Sequence, residues 1–136
     1  MSYLLDTNAC IAIINRRPEH VRARYEAVTA SGVRACVSSI AAFELWYGVA
    51  KSSLVEENRK RLKDFLRGPI ILLPFDDEDA DAAGAIRVEL EAQGRPIGAY
   101  DVLIAGQALR RRMTLVTSNF KEFARVKGLR WENWAA

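Results

Sequence analysis

Asp6, Glu44 and Asp101 are carboxylates in apolar company. Asp6 closes Tyr3-Leu4-Leu5-Asp6, Glu44 lies in Ala42-Phe43-Glu44-Leu45-Trp46, and Asp101 lies in Tyr100-Asp101-Val102-Leu103-Ile104. An ionised carboxylate taken from water must be paired, protonated or bound to a cation, and converging carboxylates repel one another and favour a divalent metal. The other acids have solvated neighbours: Glu56 and Glu57 run into Asn58-Arg59-Lys60, Asp76 to Asp81 form a charge run, and Glu89 and Glu91 adjoin Gln93-Gly94-Arg95, so these read as surface. Two explanations of the three apolar-flanked acids stand side by side, a metal site and a structural salt-bridge network with arginines. If they bind a metal, oxygen ligands without histidine or cysteine select a hard cation, Mg²⁺ with Mn²⁺ as a substitute. Such an ion lowers the pKa of a bound water, orients its attack and offsets charge on a phosphate, which suits phosphodiester cleavage.

The remaining chemistry-bearing residues narrow the field. Cys10 and Cys36 lie among small or apolar residues with no second cysteine nearby, and His20 is the only histidine, which argues against zinc. Both cysteines read as reduced, buried thiols and His20 as a surface residue. No Gly-x-Ser-x-Gly elbow accompanies that histidine, and neither a phosphate-cradling Gly-x-x-x-x-Gly-Lys-Ser/Thr stretch nor a Gly-x-Gly-x-x-Gly turn is present. A phosphatase of the haloacid-dehalogenase type requires a second aspartate two residues after the first, and Asn8 occupies that place. The net charge is +3, with basic clusters at Arg59-Lys60-Arg61, at Arg110-Arg111-Arg112, and at Lys121, Arg125 and Lys127, surface that would suit a phosphate backbone.

Strands and helices alternate around these acids. The pattern predicts a strand at Tyr3–Leu5, a helix from about Ala9 to Asn15, and a second helix begun at Pro18 and closed by Ser31-Gly32. Arg34–Val37 follows as a strand. Ser38 and Ser39 then cap a helix with Ile40, Phe43, Glu44, Tyr47 and Ala50 on one face, which places Glu44 on an apolar side. A charged helix spans Val55–Leu66, with Leu62, Phe65 and Leu66 inward. Ile70–Phe75 fits a strand buried on both faces. Helices over Asp76–Gln93 and from Ala99 follow, with Asp101 on the inward side of the first turn. Thr114–Thr117 is a strand, Asn119–Ala124 a short helix and Leu129–Trp131 a final strand. This order predicts an α/β layer structure around a mainly parallel sheet, in one domain spanning 1–136, with its ligand site beyond the carboxyl ends of the strands. No apolar run reaches membrane-span length and no secretory signal opens the chain, so a cytoplasmic protein without membrane attachment is expected.

Four ordered motifs resemble those of PIN-domain ribonucleases, and within them the VapC-type toxins of bacterial toxin-antitoxin pairs. They are Leu4-Leu5-Asp6-Thr7-Asn8, Ser39 through Phe43-Glu44-Leu45 to Gly48, Ile97-Gly98-Ala99-Tyr100-Asp101-Val102-Leu103-Ile104-Ala105, and Leu115-Val116-Thr117-Ser118-Asn119 with Glu122-Phe123. The resemblance continues through Gly128-Leu129 to Glu132-Asn133-Trp134 and so covers almost the whole chain. It implies a PIN-like three-layer α/β fold and a Mg²⁺-dependent endoribonuclease acting on RNA. Asp6, Glu44 and Asp101 would be catalytic, metal-binding acids, Thr7 or Thr117 would hold a water of the metal's shell, and Asn8 and Ser118 would lend support within their motifs. Where many members carry a fourth acid this chain has Asn119, with Glu122 three residues later, so either of those could complete the ligand set and one or two metal ions could be held.

The resemblance further implies a homodimer and a cognate antitoxin that neutralises the enzyme. Trp46, Tyr47 and Phe65, on helices with charged opposite faces, are either candidate contact surface or ordinary core. A competing expectation is a catalytically inactive RNA-binding module that keeps the fold; retention of all three principal acids speaks against it.

Overall fold

Side-chain caps set the start of three of the seven helices. The computed structural model describes residues 1–136. In chain order it forms β1 (Ser2–Leu5), α1 (Thr7–Asn15), α2 (Glu19–Ala30), β2 (Arg34–Ser38), α3 (Ser39–Ala50) and α4 (Val55–Leu66). There follow β3 (Ile71–Leu73), α5 (Asp77–Ala92), α6 (Ala99–Arg110), β4 (Thr114–Val116), α7 (Phe120–Phe123) and β5 (Trp131–Glu132). Asp6, Ser38 and Asp76 cap α1, α3 and α5 with side-chain oxygens that accept backbone N–H groups. Each such cap is worth about 1 kcal/mol because it satisfies a donor that the helix itself leaves unpaired.

The strands form one sheet in the order β3-β2-β1-β4-β5, every pair parallel, with helices flanking it as expected for a layered α/β fold. β1 is central. Leu4 and Leu5 register with Cys36 and Val37 on one side and with Leu115 and Val116 on the other, and all six are buried. Burying each of the leucines and valines contributes roughly 1.5–3 kcal/mol, so the middle of the sheet is the firmest part of the fold. The chain leaves β1 toward β2 on one side and reaches β4 on the other, which makes the β1/β4 boundary a topological switch point where the following loops diverge and leave a crevice. Cys10 and Cys36 are buried free thiols, and His20 is exposed.

Three expectations are corrected. Ile70–Phe75 is not a central strand: only Ile71–Leu73 pairs, at the sheet edge, and Leu72 is 53% exposed. Pro74 cannot donate to a ladder, and the run is apolar because Ile70 packs into the core from beside the edge. On α3 the buried face is Ala41, Ala42 and Leu45, whereas Phe43 and Tyr47 are more than half exposed, so the stripe containing Glu44 borders solvent. The charge run Asp76 to Asp81 is not all surface, because Asp79 is fully buried.

Asp79 is buried because its partners arrive from α6. Arg110 Nε donates to its Oδ1 at 2.9 Å, Arg111 Nη2 to its Oδ2 at 2.9 Å, and Gln107 Nε2 to its Oδ2 at 3.3 Å, while Asp79 completes a reciprocal capping box with Asp76. Burial opposes its charge, but the Arg111, backbone and Arg110 hydrogen bonds prevail and hold its carboxyl at about 2. Arg110 and Arg111 also bind Asp76 and Glu78, so they are committed to this network and supply little free basic surface. The α5–α6 pair is close-packed as well: a Cβ on Gly106 would meet the Ala83 backbone nitrogen at 2.6 Å. That contact and the ion network together fix the axis of α6, whose opposite end carries Asp101.

Candidate active site

Asp6 stands at the switch point. It follows β1, its backbone N–H donates to Val116 O at 3.0 Å, and its Oδ1 accepts the Ala9 N–H at 2.8 Å as the cap of α1. Its carboxylate is 4% exposed. Burial raises its pKa, hydrogen bonds from the Thr117 hydroxyl and the Ala9 and Asn8 backbone counter that rise, and the Glu44 charge adds to it. Thr117 is itself fixed, since its Oγ1 accepts the Asn119 N–H at 2.9 Å at the end of β4.

Glu44 projects from the second turn of α3 and is partly buried. The Thr7 hydroxyl donates to its Oε1 at 2.8 Å, joining the first residue of α1 to α3. Asp101 lies in the first turn of α6, beside Gly98, where a Cβ would stand 3.3 Å from its Oδ2. Glycine there leaves the carboxylate room. Burial first, then the charges of Glu122, Asp6 and Glu44, and finally a hydrogen bond with Glu122 push the Asp101 carboxyl up to about 6. A rise from about 3.9 to about 6 corresponds to at most ~3 kcal/mol, less after solvent screening at this half-buried position. That still exceeds the ~0.3–1 kcal/mol by which a helix N-terminus favours an anion. Burial, with crowded like charge added to it, therefore outweighs the helix N-terminus at Asp101.

The fourth acid is Glu122. On α7 it accepts the Asn119 side-chain amide at 2.8 Å and lies against Asp101. The Asn119 amide nitrogen is thus engaged with Glu122. The ion pairs of the molecule are Arg22–Glu26, Arg24–Glu132, Arg87–Glu91 and the Asp79 network; none includes Asp6, Glu44, Asp101 or Glu122. The salt-bridge alternative is realised at Asp79, 31 and 32 residues before its arginines, and not at the apolar-flanked acids.

Four mutually repelling carboxylates without a protein counter-cation form a donor set suited to a hard divalent ion. No three of the side chains converge closely enough to ligate one ion together. A Mg²⁺ ion usually keeps several waters and takes one or two carboxylates directly, so this spacing fits a largely hydrated ion held partly through its water shell. Of the supporting residues, Thr7 and Thr117 bind the acids. Asn8 and Ser118 line a small cleft with Ala9, Asn133 and Trp134, and the Asn8 backbone assists Asp6. Beside Glu44 a groove of about 250 Å³ opens between α1, α3 and α4, walled by Ile11, Leu45, Val49 and Leu62.

A family profile for the PIN domain matches residues 3–129. The chain is 41% identical over 134 residues, 98% of each protein, to the tRNA(fMet)-specific endonuclease VapC of Salmonella typhimurium. It is 40% identical, again over 98% of each, to ribonuclease VapC2 of Haemophilus influenzae. The crystal structure of VapBC2 from Rickettsia felis, bound to a DNA fragment from its promoter, superposes with a TM-score of 0.91 at 39% identity, covering 98% of this chain and 99% of the other.

Proposed function

We propose that this chain, which belongs to the PIN-domain family and within it to the VapC ribonuclease toxins, is an endoribonuclease toxin that uses a divalent cation and is restrained by a cognate antitoxin. The observation that carries this reading is the group of four carboxylates, left without a counter-cation, where β1 and β4 end. In this reading Asp6, Glu44 and Asp101 would hold Mg²⁺, or Mn²⁺ in its place, partly through its waters, and Glu122 would complete the set. When bound, the ion activates a water and offsets phosphate charge. Thr7 orients Glu44, Thr117 orients Asp6, and Asn119 aims Glu122. Burial of Asp6 keeps bulk water from one side of the cluster, which strengthens the attraction of the carboxylates for a cation.

The partners follow from the same family. RNA is the substrate, and the Salmonella relative makes initiator tRNA the first RNA to test. The apolar groove that ends at Glu44 offers the antitoxin a seat from which it would also obstruct the acids. Self-association as a homodimer belongs to this reading. Of its candidate residues Phe65 lies in the core and Trp46 is half-covered, with the Arg59 guanidinium 5.1 Å over its ring, which leaves Tyr47 exposed. No helix is long and apolar enough to cross a membrane, and the proposed place of action is the cytoplasm.

Sequencing RNA 5′ ends after brief induction of the chain tests the reading. New ends should appear with the wild type and be absent with Asp6→Asn expressed at the same level. Identical profiles from the two proteins would overturn it and favour an inactive RNA-binding module.

A further inference from the structure

Each of two acids in the site is preceded by an exposed aromatic residue, and the two aromatics touch. Phe43, before Glu44, is 54% exposed, and Tyr100, before Asp101, is 47% exposed. Their rings meet edge to face with centroids 5.8 Å apart, bridging α3 to α6. One turn further along α3, Tyr47 is 58% exposed, and the Lys51 ammonium stands 4.8 Å from its ring centroid. Tyr100, Phe43, Tyr47 and Lys51 therefore make a continuous stripe that starts at the acids and ends at a cation. Residues four apart on a helix share a face, about 6 Å along the axis, so the order of the stripe is set by α3 itself.

We propose that this stripe is a base-stacking track for single-stranded RNA, in which Phe43 and Tyr100 hold the nucleotide beside the scissile phosphate and Lys51 receives a phosphate further along the strand. The proposal rests on the nuclease reading above. Aromatic faces left half in water next to a catalytic rim have uncovered apolar surface that a base can cover, and stacking tolerates any base because all have a π-face. Single-stranded RNA is recognised through unstacked bases on aromatic side chains together with cations along the backbone, and the stripe supplies both. Specificity for one RNA would then come from a strand that can splay its bases at the cut, a loop rather than a duplex. Asp6, Glu44 and Asp101 act on the phosphate, whereas Phe43 and Tyr100 would position the nucleotide.

The test uses full-length protein carrying Asp6→Asn, which prevents cleavage during binding, and fluorescence anisotropy with a short oligoadenylate and its abasic counterpart. Phe43→Leu and Tyr100→Leu, which keep apolar bulk but remove the ring, should each weaken oligoadenylate binding by about tenfold or more and leave binding of the abasic strand unchanged. Lys51→Met should weaken both strands. Equal binding of oligoadenylate by the parent and both leucine variants would overturn the proposal. So would equal losses on the two strands, or a change in light-scattering mass in the leucine variants, since the latter would assign the stripe to a second copy of the chain. RNA cleavage by the wild type, measured in parallel, separates the two readings: cleavage with unaltered variant binding overturns only the track, whereas neither cleavage nor binding overturns the nuclease as well.

Discussion

The Asn119 amide donates to Glu122 Oε2 at 2.8 Å and holds that carboxylate against Asp101. Neutral Asn119 thus steadies an acid one helical turn away. Glu122→Gln removes the foremost of the charges that raise Asp101, so the Asp101 carboxyl should titrate below about 6 while burial still keeps it above the ordinary value. Asn119→Ala should move it less, because Glu122 stays charged but is no longer held. Carbon-detected NMR titration of the carboxyls reads both effects, and the Mg²⁺ concentration for half-maximal cleavage should rise in the same order. Unchanged metal dependence in both variants would remove this pair from the site.

Two groups of acids should respond in opposite ways to neutralisation. Asp6→Asn, Glu44→Gln and Asp101→Asn should each abolish cleavage, and for Asp101→Asn the metal-free protein should melt at the same temperature or higher, since like-charge repulsion is relieved. Asp79→Asn should cost roughly 3–5 kcal/mol, because it leaves two arginines facing a buried site without its charge. Thermal melts in chelator make the comparison; destabilisation by Asp101→Asn of the size seen for Asp79→Asn would mean that Asp101 is structural.

Stability without metal should peak in mild acid. Asp101, raised to about 6 in the folded chain against about 3.9 unfolded, makes folding more favourable as pH falls from about 7 to about 4, and Asp6 acts in the same direction. Asp79, held at about 2, contributes stability above about 4 that is lost as pH falls toward 2. Denaturant midpoints across this range should therefore rise and then fall on acidification. Asp101→Asn should flatten only the limb above about pH 4, and a profile identical to the wild type would refute the raised value.

Gly106, on the α5–α6 contact, and Gly84, on the exposed side of α5, should respond oppositely to an added methyl. Gly106→Ala places a methyl within 2.6–2.8 Å of Ala83 and should cost about 1–3 kcal/mol by forcing the helices apart, with a loss of cleavage as Asp101 shifts. Gly84→Ala meets nothing within 4 Å and should instead stabilise α5 by roughly 0.5–1 kcal/mol. Melting temperatures and cleavage rates of the two variants check the contrast.

Element order was legible because the punctuation is local: Pro18, Gly32, Gly94-Arg95-Pro96 and the caps Asp6, Ser38 and Asp76 each act within a few residues. The three apolar-flanked acids were legible for the same reason, as the cost of their surroundings shows in their immediate neighbours. What depends on distant partners was hidden. Asp79 looked solvated because Arg110 and Arg111 lie more than thirty residues away, and only the α5–α6 pairing brings them together. Periodicity placed Phe43, Glu44 and Tyr47 on one face of α3 but could not say which face the core takes, since small Ala41 and Ala42 fit against the sheet better than the bulky aromatics do. Ile70–Phe75 reads as a strand buried on both faces because the edge strand of this sheet is as apolar as a central one.

The all-parallel strand order has a bearing on synthesis. Asp6 is made long before the strand that completes its surroundings: β4 begins at Thr114, Thr117 follows it, and Glu122 arrives after that. A chain whose translation stops before residue 114 carries Asp6, Glu44 and Asp101 but leaves β1 unpaired on one side and Asp6 without Thr117. Interrupted products of a chain that cuts RNA would then be inert, and the site would assemble only after β4 and the segment that follows it have been made.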